Sequence, residues 1–237
     1  MIEKIGRYKI LEQIGQGAMG VVYKALDPFI ERVVAVKTMS ADLDADPDFR
    51  ARCFREARSI GQLSHKNIIV IYDLGEEGGK AYMAMEFLDG EDLKFRIARK
   101  EHIPLEVKLR YMIEVTEGLS HAHKKEVFHR DIKPGNIYIT KTGQVKILDF
   151  GLARLASSDM TKSGSVMGTP NYMSPEQIRG TPIDNRSDIF SAGATFYELI
   201  TYRRPFYSES LQSTFYKVLQ EEPEPVETID PSIPSEF

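Results

Sequence analysis

The chain has one cysteine, Cys53, in 237 residues. No intrachain disulfide can form and zinc-ligand spacing is absent. This economy fits a reducing compartment, and we expect the cytoplasm. Long apolar runs are also missing. The longest, Ile68–Tyr72, is far below the roughly 20 residues of a membrane-spanning helix, so no membrane segment is expected. Met1–Gly6 is mixed and polar, unlike a signal peptide. There is no excess of positive charge. Lys and Arg number 31 against 35 Asp and Glu, a net charge of -4, which argues against nucleic acid as a partner. No internal repeat is visible, which argues against a solenoid. A hydrophobic share of 42% and a charged share of 28% are ordinary for a globular chain and exclude collagen, coiled coil or disorder as its overall character. The length suffices for one or two domains with a core that needs no staple.

Residues 7–38 read as strand, glycine-rich turn, strand, loop, strand, with β-branched residues in Val21-Val22-Tyr23 and Arg32–Lys37. Asp46-Pro47 opens a helix to about Leu63. Residues 68–74 and 80–88 form a hairpin about Gly78-Gly79. Leu105, Leu109, Met112, Val115, Leu119 and Ala122 mark a long amphipathic helix. A second hairpin surrounds Lys141-Thr142-Gly143, and helices are expected at 186–201 and 209–220. Residues 152–182, rich in Ser, Thr, Gly and Met without a period, read as one long functional loop. The expected layout is α+β: a small antiparallel β lobe with one long helix over 1–88, then a larger, mainly helical lobe over 89–237.

Gly15-Gln16-Gly17-Ala18-Met19-Gly20 is a G-x-G-x-x-G loop, weak evidence alone. A dinucleotide-binding fingerprint must open a helix. Here a strand signal follows, which favours a hairpin whose backbone lies close over phosphates. In Val34-Ala35-Val36-Lys37, Ala35 and Lys37 share a face. The small residue leaves room for a planar ring, and the ammonium can reach phosphate oxygens. Glu56 interrupts the helical stripe Phe49, Cys53, Ile60, Leu63, and a carboxylate there needs a cation. Lys37 is the natural partner and Arg52, one turn earlier, the local alternative; the two can represent two states. In His129-Arg130-Asp131-Ile132-Lys133-Pro134-Gly135-Asn136, Asp131 can accept a hydroxyl proton. Lys133 can neutralise a transferring phosphoryl group, and Asn136 offers an uncharged oxygen to a hard metal ion. Asp149, in Asp149-Phe150-Gly151, ends an apolar strand and suits Mg²⁺ with nucleotide phosphates.

These motifs, in this order from Tyr8 to about Phe206, resemble the eukaryotic-type protein kinases. The resemblance implies a bilobal kinase fold, ATP and Mg²⁺ (or Mn²⁺) as cofactors, and ATP-dependent transfer to protein hydroxyls. Gly15–Gly20, flanked by Ile14 and Val22, would cover ATP. Lys37, held by Glu56, would contact the α- and β-phosphates. Met85 would be the gatekeeper beside Ala35, the backbones of Glu86 and Leu88 would meet adenine, and Asp92 the ribose. Asp131 would be the catalytic base assisted by Lys133, with Asn136 and Asp149 as metal ligands. Lys133 together with Thr169-Pro170 resembles the Ser/Thr enzymes, and Met173-Ser174-Pro175-Glu176-Gln177 with Arg186–Ser191 the bacterial members. Asp188 would brace the catalytic loop. Arg130 marks enzymes whose activation loop is ordered by phosphorylation, which makes Thr161, Ser163 and Ser165 expected autophosphorylation sites. The family's larger lobe continues further and supplies an arginine for the position of Glu176. This chain is therefore read as a truncated lobe, open to self-association or segment exchange. Competing readings are a nucleotide-binding but catalytically impaired scaffold, a small-molecule kinase, and, far behind, a dinucleotide oxidoreductase.

Overall fold

The computed structural model describes residues 3–17, 20–39, 51, 55, 57–150 and 170–233. Strands β1 (Lys4–Ile5), β2 (Tyr8–Gly17), β3 (Gly20–Asp27), β4 (Arg32–Met39), β5 (Ile71–Glu77) and β6 (Lys80–Glu86) form a 6-stranded antiparallel sheet in the order β1-β2-β3-β4-β6-β5. Val22 lies opposite Lys37 and Lys37 opposite Met83, while Ala35 lies opposite Met85. Side chains alternate along a strand and match across it, so these residues share one face. Val34, Val36, Tyr82 and Ala84 point the other way and pack with Ile5, Tyr8 and Ala25. Alternation in Val34–Lys37 thus has the structural consequence expected of it.

The rest is mainly helical. It contains β7 (Gly90–Asp92), α1 (Leu93–Ala98), α2 (Leu105–His123), β8 (Ile137–Thr140), β9 (Val145–Ile147), α3 (Pro175–Arg179), α4 (Asn185–Thr201), α5 (Leu211–Gln220) and α6 (Val226–Ile229). Strands β7, β8 and β9 form a second antiparallel sheet. Val115, Leu119, Ile132, Ile137, Ile139, Ile147 and Leu199 make the centre of the larger core. The stripe expected on α2 is shifted at its start, where Lys108 and Tyr111 are buried and Leu105 and Leu109 are only partly so. Lys108 is tolerated because its Nζ donates to the Ile200 carbonyl at 3.1 Å and lies 4.3 Å from the Tyr202 ring centroid. An ammonium at a helix C-terminus is favourably placed.

Three features depart from the sequence reading. Strand β7 begins four residues after the end of β6 and helix α1 follows it, where no elements were expected. Helix α3 falls within residues 152–182, read as one irregular loop. The third is that Ile60, Leu63 and Ile68, assigned to the first lobe, pack into the larger core. There the backbone of Ile69 donates to Ile147 and Ile147 donates to Asn67, so residues 63–69 are stitched to β9. The helix expected from Asp46 to Leu63 is present at Ala51, Arg55 and 57–61. Its start, with Phe49, Cys53 and Glu56, lies outside the described residues.

Candidate active site

The glycine loop joins β2 to β3, with Gly15 opposite Val22, Gln16 opposite Val21 and Gly17 opposite Gly20. Ala18 and Met19 lie outside the described residues. The glycines are not equivalent. Gly20 has φ +132°, and a Cβ there would collide with the Thr38 carbonyl oxygen on β4. Around Gly17 a Cβ would meet nothing within 4 Å. Gly20 is therefore required by the chain itself, whereas Gly17 leaves open space. Gly20→Ala is expected to cost about 1–3 kcal/mol through backbone strain, read as a lowered Tm; Gly17→Ala should leave Tm unchanged.

Beneath the loop, Ala35, Met83 and Met85 form an apolar cluster with Ala57 and Ile69, against which Val22, Leu88 and Leu148 pack. The structure thus gathers Val22, Ala35, Met85 and Leu88 in one cluster. Ile14, 46% exposed, stands outside that cluster. The Glu86 N–H donates to the Val70 carbonyl at 2.9 Å, and the Leu88 carbonyl accepts from the Tyr138 hydroxyl at 3.3 Å. The Glu86 carboxylate accepts from the Val70 N–H at 2.8 Å and from Lys146 Nζ at 2.6 Å. This strut between β6 and β9 had no sequence signal beyond a lysine in an apolar strand. Asp92 accepts from the Phe95 N–H at 3.0 Å and so caps α1. Burial pushes its carboxyl above the usual range.

Lys37 Nζ lies 2.7 Å from Asp149 Oδ1. Within the described residues this is the ion pair Lys37 makes; the expected partner Glu56 lies outside them. Asp149 has φ 54° and Arg130 φ 67°, a backbone region costly for residues with a Cβ. Both are held by neighbours. His129 is fully buried: its Nε2 is 2.7 Å from the Leu148 carbonyl, its Nδ1 accepts from the Asp131 N–H at 3.2 Å, and its ring lies 4.6 Å from Phe150. One tautomer, with the hydrogen on Nε2, satisfies both bonds. The Leu148 N–H donates to the Asn136 carbonyl at 2.9 Å. The Asp131 loop and the Asp149 strand end are thereby tied together.

Asp131 Oδ2 accepts from Lys133 Nζ at 2.6 Å and from Asn136 Nδ2 at 3.1 Å; Asn136 Nδ2 also reaches the Asp131 carbonyl at 2.8 Å. Asp188 braces the loop from α4. It is buried, with Oδ1 accepting from the Arg130 N–H at 2.6 Å, and Oδ2 from the His129 N–H at 2.8 Å and near His123 Nε2 at 2.7 Å. Burial pushes its carboxyl up, but these donors more than offset that and hold it below the usual range. Glu176 accepts from the Ser187 hydroxyl on α4. Thr161, Ser163 and Ser165 lie outside the described residues, as do Gly151 and Thr169.

Residues 8–235 match the protein kinase domain family. The chain belongs to that family. Its relatives include bacterial proteins named as serine/threonine-protein kinases. It is 42% identical over 230 residues to the serine/threonine-protein kinase PrkC of Bacillus subtilis, covering 97% of this chain and 36% of that protein. It is 42% identical over 228 residues to the probable serine/threonine-protein kinase PknB of Corynebacterium glutamicum, covering 92% and 35%. The chain thus spans about a third of the length of these relatives. The crystal structure of the Mycobacterium tuberculosis PknI kinase domain superposes with a TM-score of 0.78 at 25% identity, covering 98% of this chain and 86% of that one. The bilobal α+β fold is therefore that of the family.

Proposed function

We propose that this kinase domain transfers the γ-phosphoryl group of ATP to serine and threonine hydroxyls of proteins, and that its two lobes, 1–88 and 89–237, work as one catalytic unit. The observation that carries the reading is Lys37 on the β lobe paired with Asp149, whose strand is hydrogen-bonded to the Asp131 loop. Adenine fits the apolar slot of Val22, Ala35, Met85 and Leu88. With the Glu86 N–H and the Leu88 carbonyl engaged, the Glu86 carbonyl and Leu88 N–H are the acceptor and donor for the ring. Ile14 forms the rim, and Asp92 can turn a carboxylate oxygen to the ribose while it caps α1. The glycine loop covers the phosphates, and the open space at Gly17 admits them.

The donor set fits a hard cation. With Asn136 Nδ2 held by Asp131, its amide oxygen is the free end, and Asp149 adds a carboxylate; oxygen donors alone suit Mg²⁺ or Mn²⁺. When bound, the cation neutralises phosphate charge. Asp131 orients the substrate hydroxyl and takes its proton, and Lys133 stabilises charge on the transferring group. Lys37, held by Glu56 in the active arrangement, positions the α- and β-phosphates. A second copy of the chain is the first substrate we propose, which needs only transient pairing. The compartment proposed is the cytoplasm, which supplies ATP and suits a single cysteine. Among the described residues no helix is long and apolar enough to cross a membrane.

Incubation with labelled ATP and Mg²⁺ should put phosphate on a general protein substrate and on the chain itself, with mass spectrometry locating it at Thr161, Ser163 or Ser165. ATP binding without any transfer would instead favour the impaired scaffold.

A further inference from the structure

Gln177 has two jobs for one side chain. Its Oε1 accepts from the Ser174 N–H at 2.9 Å, and its own N–H donates to Ser174 Oγ at 3.4 Å. That reciprocal pair is the capping box that starts α3. A capping box needs only an acceptor at this position, and glutamate serves as well as glutamine. The other end of the amide is spent elsewhere. Gln177 Nε2 donates to the Arg130 carbonyl at 2.8 Å, across 47 residues of sequence.

That carbonyl belongs to the peptide unit directly before Asp131. The opposite edge of the same unit, the Asp131 N–H, is held by His129 Nδ1 at 3.2 Å. The preceding unit is held by Asp188 Oδ1 at the Arg130 N–H, 2.6 Å. Arg130 sits between them at φ 67°, a conformation that persists only where the surroundings enforce it. The tilt of the peptide before Asp131 sets the direction of its carboxylate, so the Gln177 amide fixes one of the coordinates on which hydroxyl positioning depends.

We propose that Gln177 is a positioning residue of the phosphoryl-transfer reaction: its Nε2 locks the Arg130–Asp131 peptide and thereby couples helix α3 to the orientation of Asp131. This inference rests on the kinase reading above and adds to it a residue that touches neither nucleotide nor hydroxyl.

Gln177→Glu separates the two jobs. It keeps an acceptor for the Ser174 N–H, and so the cap, but sets a carboxylate oxygen against the Arg130 carbonyl. Ser174→Ala does the reverse, removing the Oγ acceptor while leaving Nε2 in place. For Gln177→Glu we expect kcat to fall by about 10- to 100-fold, the scale of misplacing a reacting group, with KM for ATP unchanged. Tm should stay within about 3 °C of the parent, less than loss of a buried contact would cause. Amide hydrogen exchange at Asp131 should accelerate in the same variant. For Ser174→Ala we expect a lower Tm with kcat retained. A Gln177→Glu protein with parental kcat and parental exchange at Asp131 overturns the proposal, as does a Ser174→Ala protein that loses as much kcat, because the effect would then run through the helix. A parent chain that transfers no phosphate sinks the kinase reading and this inference with it, and that result is seen before any variant is made.

Discussion

Asp131→Asn is expected to lower phosphoryl transfer by about 10²–10⁴-fold, the usual contribution of a positioned acid or base, with no loss of stability. The size of the effect follows from which oxygen is already engaged. Lys133 Nζ and Asn136 Nδ2 both donate to Asp131 Oδ2. An asparagine at 131 must therefore turn its single carbonyl oxygen towards those two donors. Its NH₂ then occupies the place of Oδ1, where the substrate hydroxyl should be received. A group that accepts a proton is replaced by one that donates, in a side chain of the same shape. Nothing in the Lys37–Asp149 pair or the adenine slot changes, so nucleotide affinity should match the parent by calorimetry. Equal transfer rates in parent and variant would remove Asp131 from its role.

The parts of this site that could be read in advance are those where one residue type has few chemical uses. The run from His129 to Asn136 combines charge, amide, proline and glycine in a way that a simple turn does not need. The strand Val34–Lys37 declares its face by alternation alone, and the sheet register places Ala35 and Lys37 on that face. The elements that the sequence does not announce share a physical cause. Strand β7 and helix α1 are too short to carry a period, and their existence depends on pairing with β8 and on the Asp92 cap. Helix α3 did leave a signature, Ser174-Pro175-Glu176-Gln177, with proline at the first turn and a capping box. That signal was submerged because the surrounding stretch lacks any apolar period. Lys108 and Lys146 are the reverse case. Each is a cation in an apolar element, buried only because a specific acceptor from distant sequence meets it: Ile200 O for one, Glu86 for the other. Periodicity reports burial of carbon; it carries no information about which carbonyl or carboxylate will come to a lysine.

Asp188→Asn should destroy both stability and activity, in contrast to the selective loss at Asp131. The Asp188 side chain is fully buried and receives donors on both oxygens: Arg130 N–H on one, His129 N–H and His123 Nε2 on the other. An amide has one acceptor. Whichever way it turns, its NH₂ faces a backbone N–H, and a buried donor is left unpaired. Breaking a buried charged hydrogen-bond set of this kind costs about 3–5 kcal/mol. For a chain of this size that is a fall in Tm of roughly 6–20 °C. The two peptides affected are those that hold Arg130 at φ 67°, so the catalytic loop should relax even at temperatures where the rest stays folded. Acid should imitate the substitution. The folded-state carboxyl of Asp188 lies below its ordinary value, so its contribution is complete above the unfolded-state value, about 3.9, and is lost as pH falls through the lower folded-state value. Thermal melts of parent and variant between neutral pH and pH about 3 test this: the gap in Tm should be widest at neutral pH and close on acidification. A gap that does not narrow would mean that the substitution acts through packing, and that the carboxylate charge is not what holds the loop.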